Sequence, residues 1–174
     1  MKKITFILMF FLIGCAPSFN DAVEDIVIEN SSLFSIRNIQ SGRLINNILD
    51  RTGKEQKGWE IIPQETPQQL KASYKNGLVK IVNPKTDQCL AVLSGRTVAK
   101  APCASGDNIT LFSFIPTTTG AVMIKNVGAN KCISDVISGT DIFKVDVCIT
   151  SQTETIPVSM LWMLTPPNLP APIQ

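Results

Sequence analysis

Five cysteines are the residues of this 174-residue chain whose type and spacing could do chemistry. Cys89 and Cys103 lie 14 positions apart, and 43 positions after Cys89 the pattern returns with Cys132 and Cys148. Such spacing could serve a metal site, redox chemistry or a disulfide framework. A zinc site is disfavoured, because the chain contains no Cys-x-x-Cys pair and no histidine.

The absence of histidine limits catalysis as well. Ser-His-Asp and Cys-His machinery both need an imidazole as acid and base, and none is present. Hydrolysis by two carboxylates needs a positioned pair of acids, whereas the acids of this chain are scattered, with no pair that stands out. We therefore expect a protein that is not an enzyme and that uses no cofactor.

The N-terminal segment MKKITFILMFFLIGC has the features of an export signal. Two lysines precede an apolar run over residues 4–13, which is too short to span a bilayer. The LIGC sequence resembles a lipobox, which predicts a lipoprotein-type signal peptide over residues 1–14 and lipidation of Cys15. An ordinary cleavable signal with an incidental cysteine is the alternative. We expect an exported protein, anchored in the bacterial outer membrane by lipid, secreted, or both.

The charge balance of the mature chain disfavours nucleic acid as a partner. Removal of residues 1–14 would leave 14 basic and 14 acidic residues. Nucleic-acid-binding domains usually carry a basic excess or patch, and no stretch here interleaves basic with aromatic residues. We expect no direct binding of nucleic acid.

The four cysteines that follow the signal are expected to form disulfides, because an exported chain meets an oxidising compartment. Three pairings are possible. The local pairing, Cys89–Cys103 with Cys132–Cys148, gives each cysteine-bearing stretch its own bridge and is favoured. Chain entropy predicts about 3 kcal/mol of stabilisation for each bridge.

Short apolar runs alternate with turns rich in Gly, Asn, Asp and Ser from Leu33 onward, which predicts many short strands. No window holds a helical stripe, although TPQQLKAS could form one turn. The expected class is all-β, a barrel or a sandwich. The runs are LFSIR, RLINNI, LVKIV, CLAVL, FSFIP, AVMIK, IFKVDVC and MLWML.

Three repeated units organise these runs. Asn38, Asn83 and Asn126 align at separations of 45 and 43 residues. Each unit opens on an aliphatic strand and closes on an aromatic one, and none could bury its apolar face alone. We therefore predict a β-trefoil of three repeats of about 43 residues over residues 33–166. Its core should contain the closing aromatic residues Trp59, Phe114 and Trp162.

The repeats resemble the ricin B-type lectins in their Lys-Cys-Ile strand start, closing cysteine and terminal aromatic residue. More narrowly, FSFIPTTTGAVMIKN at 112–126 and WMLTPP at 162–167 resemble the C subunits of the bacterial cytolethal distending toxins. The resemblance covers residues 35–167 and implies a non-catalytic, cell-binding and delivery subunit of a tripartite genotoxin. Its partners would be the lectin-like A subunit of the toxin and the B subunit, a DNase I-like nuclease that the lectin-like pair carries into host cells.

The same resemblance implies that residues 15–32 form an arm that reaches the nuclease. Its acidic side chains could meet the basic surface that a nuclease offers to phosphates, with an aromatic anchor beside them. A disordered tether between lipid and domain is the alternative. The arm residues are Phe19, Asp21, Glu24, Asp25 and Glu29.

The sugar sites of ricin-type lectins are only partly retained. The usual Asp after the Cys-aliphatic pair is missing from the second unit, and no Gln-x-Trp remains. Asn46 and Asp135 are the residues of a vestigial sugar site. Because a sugar needs placed polar partners and an aromatic face, the sequence favours protein–protein packing, with host-cell glycan or lipid as a further candidate ligand.

Two weaker features complete the prediction. Leu70, Tyr74 and Lys80 match a cholesterol-recognition pattern, for which a plain surface loop is the alternative. The Pro-rich tail over 167–174 should run extended, as an inert end or as a strap along a neighbour.

The rival functions are a stand-alone carbohydrate-binding lectin and a surface lipoprotein whose trefoil is structural. Dependence on partners predicts an exposed apolar patch larger than monomers normally show.

Overall fold

A computed structural model describes residues 33–45, 58–84, 86–94, 96–106, 108–135, 143–151 and 153–167. These residues belong to one unit, Ser32–Gln174. The predicted lipidation site Cys15, the five arm residues and Asn46 lie outside the described ranges. Within those ranges no helix is long and apolar enough to cross a membrane.

Ten short strands and two single-turn 3-10 helices make up the regular structure of the described ranges, so the predicted all-β class is confirmed. The 3-10 helices are Gln68–Leu70 and Val158–Met160. The strands are β1 (Leu33–Asn38), β2 (Trp59–Gln64), β3 (Leu78–Asn83), β4 (Gln88–Leu93), β5 (Thr97–Pro102), β6 (Phe112–Pro116), β7 (Val122–Asn126), β8 (Lys131–Asp135), β9 (Phe143–Asp146) and β10 (Trp162–Thr165).

Antiparallel pairing closes six of these strands into a ring. Strand β1 pairs with β10 and β2, β2 with β3, β3 with β6, and β6 with β7. The ring closes where Trp162 of β10 pairs with Val122 of β7. The other four strands form the hairpins β4–β5 and β8–β9, which meet where Thr97 pairs with Lys144. Ring closure removes the free edges that an open sheet of these six strands would expose.

Burial along the strands follows from which faces are covered. In β9, Phe143 and Val145 are buried whereas Lys144 and Asp146 are exposed, the alternation of a strand with one face on the core. In β4 the four central residues, 89–92, are all buried, as in a strand covered on both sides. Alternation and a continuous apolar run therefore correspond to two kinds of packing, with one face or both faces of the strand covered.

The core is built around aromatic residues at the ends of the units. Trp59, Phe112 and Trp162 are fully buried, and the aliphatic side chains around them come from strands along the whole domain. The rings of Phe143 and Trp162 meet edge to face, with centroids 5.7 Å apart and planes 64° apart, a favourable aromatic geometry. The prediction that Trp59 and Trp162 belong to the core is confirmed, and Phe114 packs against it while partly exposed.

The aligned asparagines are buried and form the same contacts in two of the units. The amide nitrogen of Asn38 donates to two carbonyls within residues 159–161, at 2.8 and 3.2 Å. That of Asn126 donates to two carbonyls within residues 109–111, at 2.8 and 3.1 Å. Each amide oxygen accepts backbone N–H in its own turn. Asn83 is buried too. These side chains tie each turn to the segment that closes the preceding unit.

The strand predictions and the structure differ in several places. Strand β5, Thr97–Pro102, was not predicted, and Met160 lies in a 3-10 helix and not in the strand that MLWML predicts. β5 holds few large apolar residues, and it forms because β4 pairs with it over six positions. Of the predicted strand RLINNI only residues 43–45 are described, with Leu44 bridging to Arg37.

Candidate functional site

The two predicted disulfides are present, each within one unit. Cys89 and Cys103 are bonded with their Cα atoms 4.9 Å apart, and Cys132 and Cys148 with theirs 5.0 Å apart. Cys89 and Cys132 have no exposed surface. Cys103 and Cys148, the other members of the two bridges, are half-buried. Bridges that join short loops of an exported chain and have one cysteine fully covered are typical of structural disulfides.

Asp135, the predicted sugar-binding acid, is used inside the protein. Its side chain is 1% exposed at the end of β8, and Oδ1 lies 3.4 Å from Nη1 of Arg43. The Ser41 hydroxyl donates to Oδ2. Because both partners come from the turn after β1, the carboxylate links the third unit to the first. The predicted partner Asn46 lies outside the described residues.

The tryptophans offer no open face for a sugar. Trp59 and Trp162 are both 0% exposed. Nε1 of Trp162 donates to the carbonyl of Ile133 at 3.0 Å, and Lys100 places its ammonium group 5.8 Å from the centre of the Trp59 ring. Sugar stacking requires an accessible aromatic face, and that requirement is not met at either ring.

The residues of the cholesterol pattern make contacts within the domain. Tyr74 packs with Leu78 and Val127 in a small buried cluster, against which Leu70 rests. Burial raises the pKa of the Tyr74 hydroxyl above its usual value of 10.0. Lys80 donates to the carbonyl of Cys103 at 2.9 Å. The structure therefore gives each of the three residues a local role, and lipid binding by them stays a prediction.

A groove of 480 Å³ lies between the β6–β7 turn and segment 147–161, which follows β9. We call it the β7 groove. Ile115 and Leu161 line it and pack against a buried cluster formed by Met123, Cys132 and Met160. Threonine and serine hydroxyls surround these apolar residues, and Glu154 is the one ionisable residue that the described part of the chain contributes to the lining.

Reasoning from sequence missed the β7 groove. Its residues come from β6 and β7, from the turn between them and from segment 147–161. In that segment, whose described residues contain no strand, periodicity gives no signal. One signal was available: Ile149, Ile156 and Val158 are large apolar residues in a stretch otherwise rich in Ser and Thr. Apolar residues in a loop without a core period are typical of a contact surface.

The family model described as "Cytolethal distending toxin A/C domain" matches residues 33–173. The chain is 42% identical over 180 residues to the C subunit of the cytolethal distending toxin of Escherichia coli. That alignment covers 99% of this chain and 99% of the relative.

Solved structures agree at the level of the fold. A chain of the cytolethal distending toxin from Haemophilus ducreyi superposes with a TM-score of 0.64 at 24% identity, covering 81% of this chain and 89% of that one. A protein called the BEL β-trefoil superposes with a TM-score of 0.54 at 17% identity, covering 75% and 90%. At these identities the likeness extends to the fold alone.

Proposed function

Because the chain belongs to the cytolethal distending toxin A/C domain family, we propose that it is the non-catalytic subunit that binds host cells in a tripartite bacterial genotoxin. It would pair with a second lectin-like subunit, and the pair would carry a DNase I-like nuclease subunit into host cells. The observation that carries this proposal is the 42% identity to the C subunit of such a toxin over 99% of both chains.

The proposed fold for this role is a β-trefoil with three units. Three observations support it: a closed ring of six strands, two hairpins attached to that ring, and the matching contacts of Asn38 and Asn126. The likeness to a β-trefoil protein agrees with it.

Contact with proteins is the favoured mode of action over binding of sugar. Asp135 is buried against Arg43, and Trp59 and Trp162 are fully covered. A lectin needs free polar groups beside an accessible aromatic face. Among the described residues, no group of three Cys, Asp or Glu is placed to hold a metal ion, so metal-dependent sugar binding lacks support as well.

Export and the N-terminal arm are parts of the same proposal. Residues 1–14 would direct export, and Cys15 would carry the lipid that holds the protein at the outer membrane. The arm over 15–32 contains four acids and no base, so it suits the basic surface of a nuclease. Phe19 would be its apolar anchor.

The test is reconstitution from separately purified subunits of the producing strain. We expect the mature chain, the nuclease and the second lectin-like subunit to elute together in size-exclusion chromatography. Only the complete mixture should bring nuclease activity into cultured cells. A variant lacking residues 16–32 should lose nuclease from the complex while it still binds the second lectin-like subunit.

Failure to associate with either of these proteins would contradict the proposal. If the chain alone then bound selectively on a glycan array, it would be a stand-alone lectin, and Asn46 and Asp135 would be the residues to replace.

A further inference from the structure

We propose that the β7 groove docks an extended segment of the second lectin-like subunit, one that carries aliphatic side chains and a lysine or arginine. This inference rests on the proposed function and adds the surface and the chemistry of the contact. It does not involve the sugar-site residues or the N-terminal arm.

The apolar character of the surface is the first argument. Ile149 and Ile156 line the β7 groove, and each has a valine two positions away that faces solvent. Val147 is 65% exposed and Val158 is 46% exposed. Exposed aliphatic residues grouped around a concave apolar surface mark a site of protein contact.

The polar groups at the rim suit a polypeptide backbone better than a sugar. Thr118, Thr119 and Thr150 line the groove, and hydroxyl groups can both donate to carbonyls and accept from N–H groups. None of the described lining residues is aromatic, so they offer no platform on which a sugar ring could stack. The backbone of an extended segment could form hydrogen bonds with these threonine hydroxyl groups while the side chains of the segment enter the groove.

Charge decides what kind of segment can bind. Glu154 is the only ionisable residue among the described residues that line the groove, so an occupant with a cation would pair with it. The arm over 15–32 has four acids and no base, and the tail over 167–174 has no charged side chain. Neither segment of this chain supplies the cation, so the occupant comes from another protein of the assembly. The acidic arm is already suited to the nuclease, which leaves the β7 groove for the second lectin-like subunit.

The β7 groove is also anchored before any partner arrives. The disulfide to Cys132 holds Cys148 next to the lining residue Ile149. Met123 and Met160 form part of the buried cluster beneath. A surface held in place by a bridge and a core loses little freedom on binding, and this favours affinity.

The experiment uses calorimetry to measure the affinity of the full mature chain for the purified second lectin-like subunit. Ile156→Asp should weaken binding at least about tenfold, because it places a charge in the apolar contact. Glu154→Gln, which keeps the shape of the side chain, should weaken it about threefold to tenfold, and added salt should narrow that difference. The control is Leu93→Asp, since Leu93 is 37% exposed and does not line the groove. It should bind within about twofold of the wild type.

Each outcome decides one point. If the wild type binds and both groove variants bind equally well, the β7 groove is not the docking surface, while the proposed function stands. If the wild type shows no binding to the second lectin-like subunit, the proposed function fails, and this inference with it. Thermal unfolding of every variant shows whether a loss of affinity follows from a loss of fold, and Glu154→Gln, a change at an exposed residue, should leave the fold intact.

Discussion

The first and third units hold equivalent tryptophans in unlike surroundings. Trp162 donates its N–H to Ile133 at 3.0 Å, in a unit that also has the bridge Cys132–Cys148. Trp59 is just as buried, yet its N–H has no hydrogen-bond partner among the described residues, and its unit contains no cysteine in the repeat. The buried hydroxyl of Ser35, also in the first unit, likewise lacks a partner within the part of the chain that the structure describes.

The difference shows that the core requires the volume of the tryptophan side chain but not its hydrogen bond or a nearby disulfide. Both tryptophans are retained because each fills a large volume at an equivalent position, and an empty volume there would be costly. The polar partner and the bridge contribute to stability but not to shape, so one unit can lack them. A buried donor without a partner costs about 1–3 kcal/mol, and packing of the first unit against its neighbours must offset that cost.

The largest effect on stability is expected when the third unit loses its bridge, a feature that the first unit lacks. The double variant Cys132→Ala/Cys148→Ala should lose about 2–5 kcal/mol in the free energy of unfolding, because the unfolded chain regains the freedom of the open loop. Urea denaturation measures the loss. The variant Cys89→Ala/Cys103→Ala is the matched control, with nearly the same loop length, 14 against 16 residues. A loss below about 1 kcal/mol in both would show that the bridges do not set the stability.

Loss of the buried asparagine should affect both units alike, since their contacts are equivalent. Asn38→Ala and Asn126→Ala should each lower the free energy of unfolding by about 2–3 kcal/mol, because the carbonyls that accept from each side chain lose a partner. Asn76→Ala, at an exposed residue with one such hydrogen bond at 2.9 Å, should cost at most about 1 kcal/mol. Unequal losses at positions 38 and 126 would contradict the equivalence of the two turns.

Replacement of each tryptophan by phenylalanine tests what the indole N–H contributes to stability in each unit. Trp162→Phe removes a hydrogen bond, whereas Trp59→Phe removes a donor that has no partner. Both lose similar volume, so Trp162→Phe should be the more destabilising by about 1–2 kcal/mol. Chemical denaturation measures the difference. An equal loss would mean that the N–H of Trp59 has an acceptor in solution.

The smallest effect is expected at Gly58, which precedes β2 and lies against β1. A Cβ at Gly58 would lie 3.1 Å from the carbonyl oxygen of Phe34, so Gly58→Ala should cost about 1 kcal/mol as the strands shift. At Gly106 a Cβ meets nothing within 4 Å, and Gly106→Ala should change the stability by less than about 0.5 kcal/mol. Differential scanning calorimetry of the two variants checks this. Equal melting temperatures would show that the β1–β2 contact can relax.

Features repeated along the chain were the ones that sequence predicted well. The cysteine spacing predicted both bridges because each joins residues 14 or 16 positions apart, within one unit. The terminal tryptophans were predicted to be buried, since a repeat can only bury its apolar face against its neighbours. The recurring asparagines predicted the turns, and only the structure showed that their side chains are buried. Strand β5 was missed because it holds few large apolar residues and depends on pairing with β4.

By itself, the sequence determined the all-β class, the two local disulfides and the burial of Trp59 and Trp162. These depend on residue type, on short spacing and on repetition, all of which can be read along one chain. The tertiary structure decided that Asp135 pairs with Arg43, a residue of another unit, and that the β6–β7 turn and segment 147–161 enclose an apolar groove. Both depend on how strands that are distant in sequence pair, because pairing and not spacing determines which side chains meet.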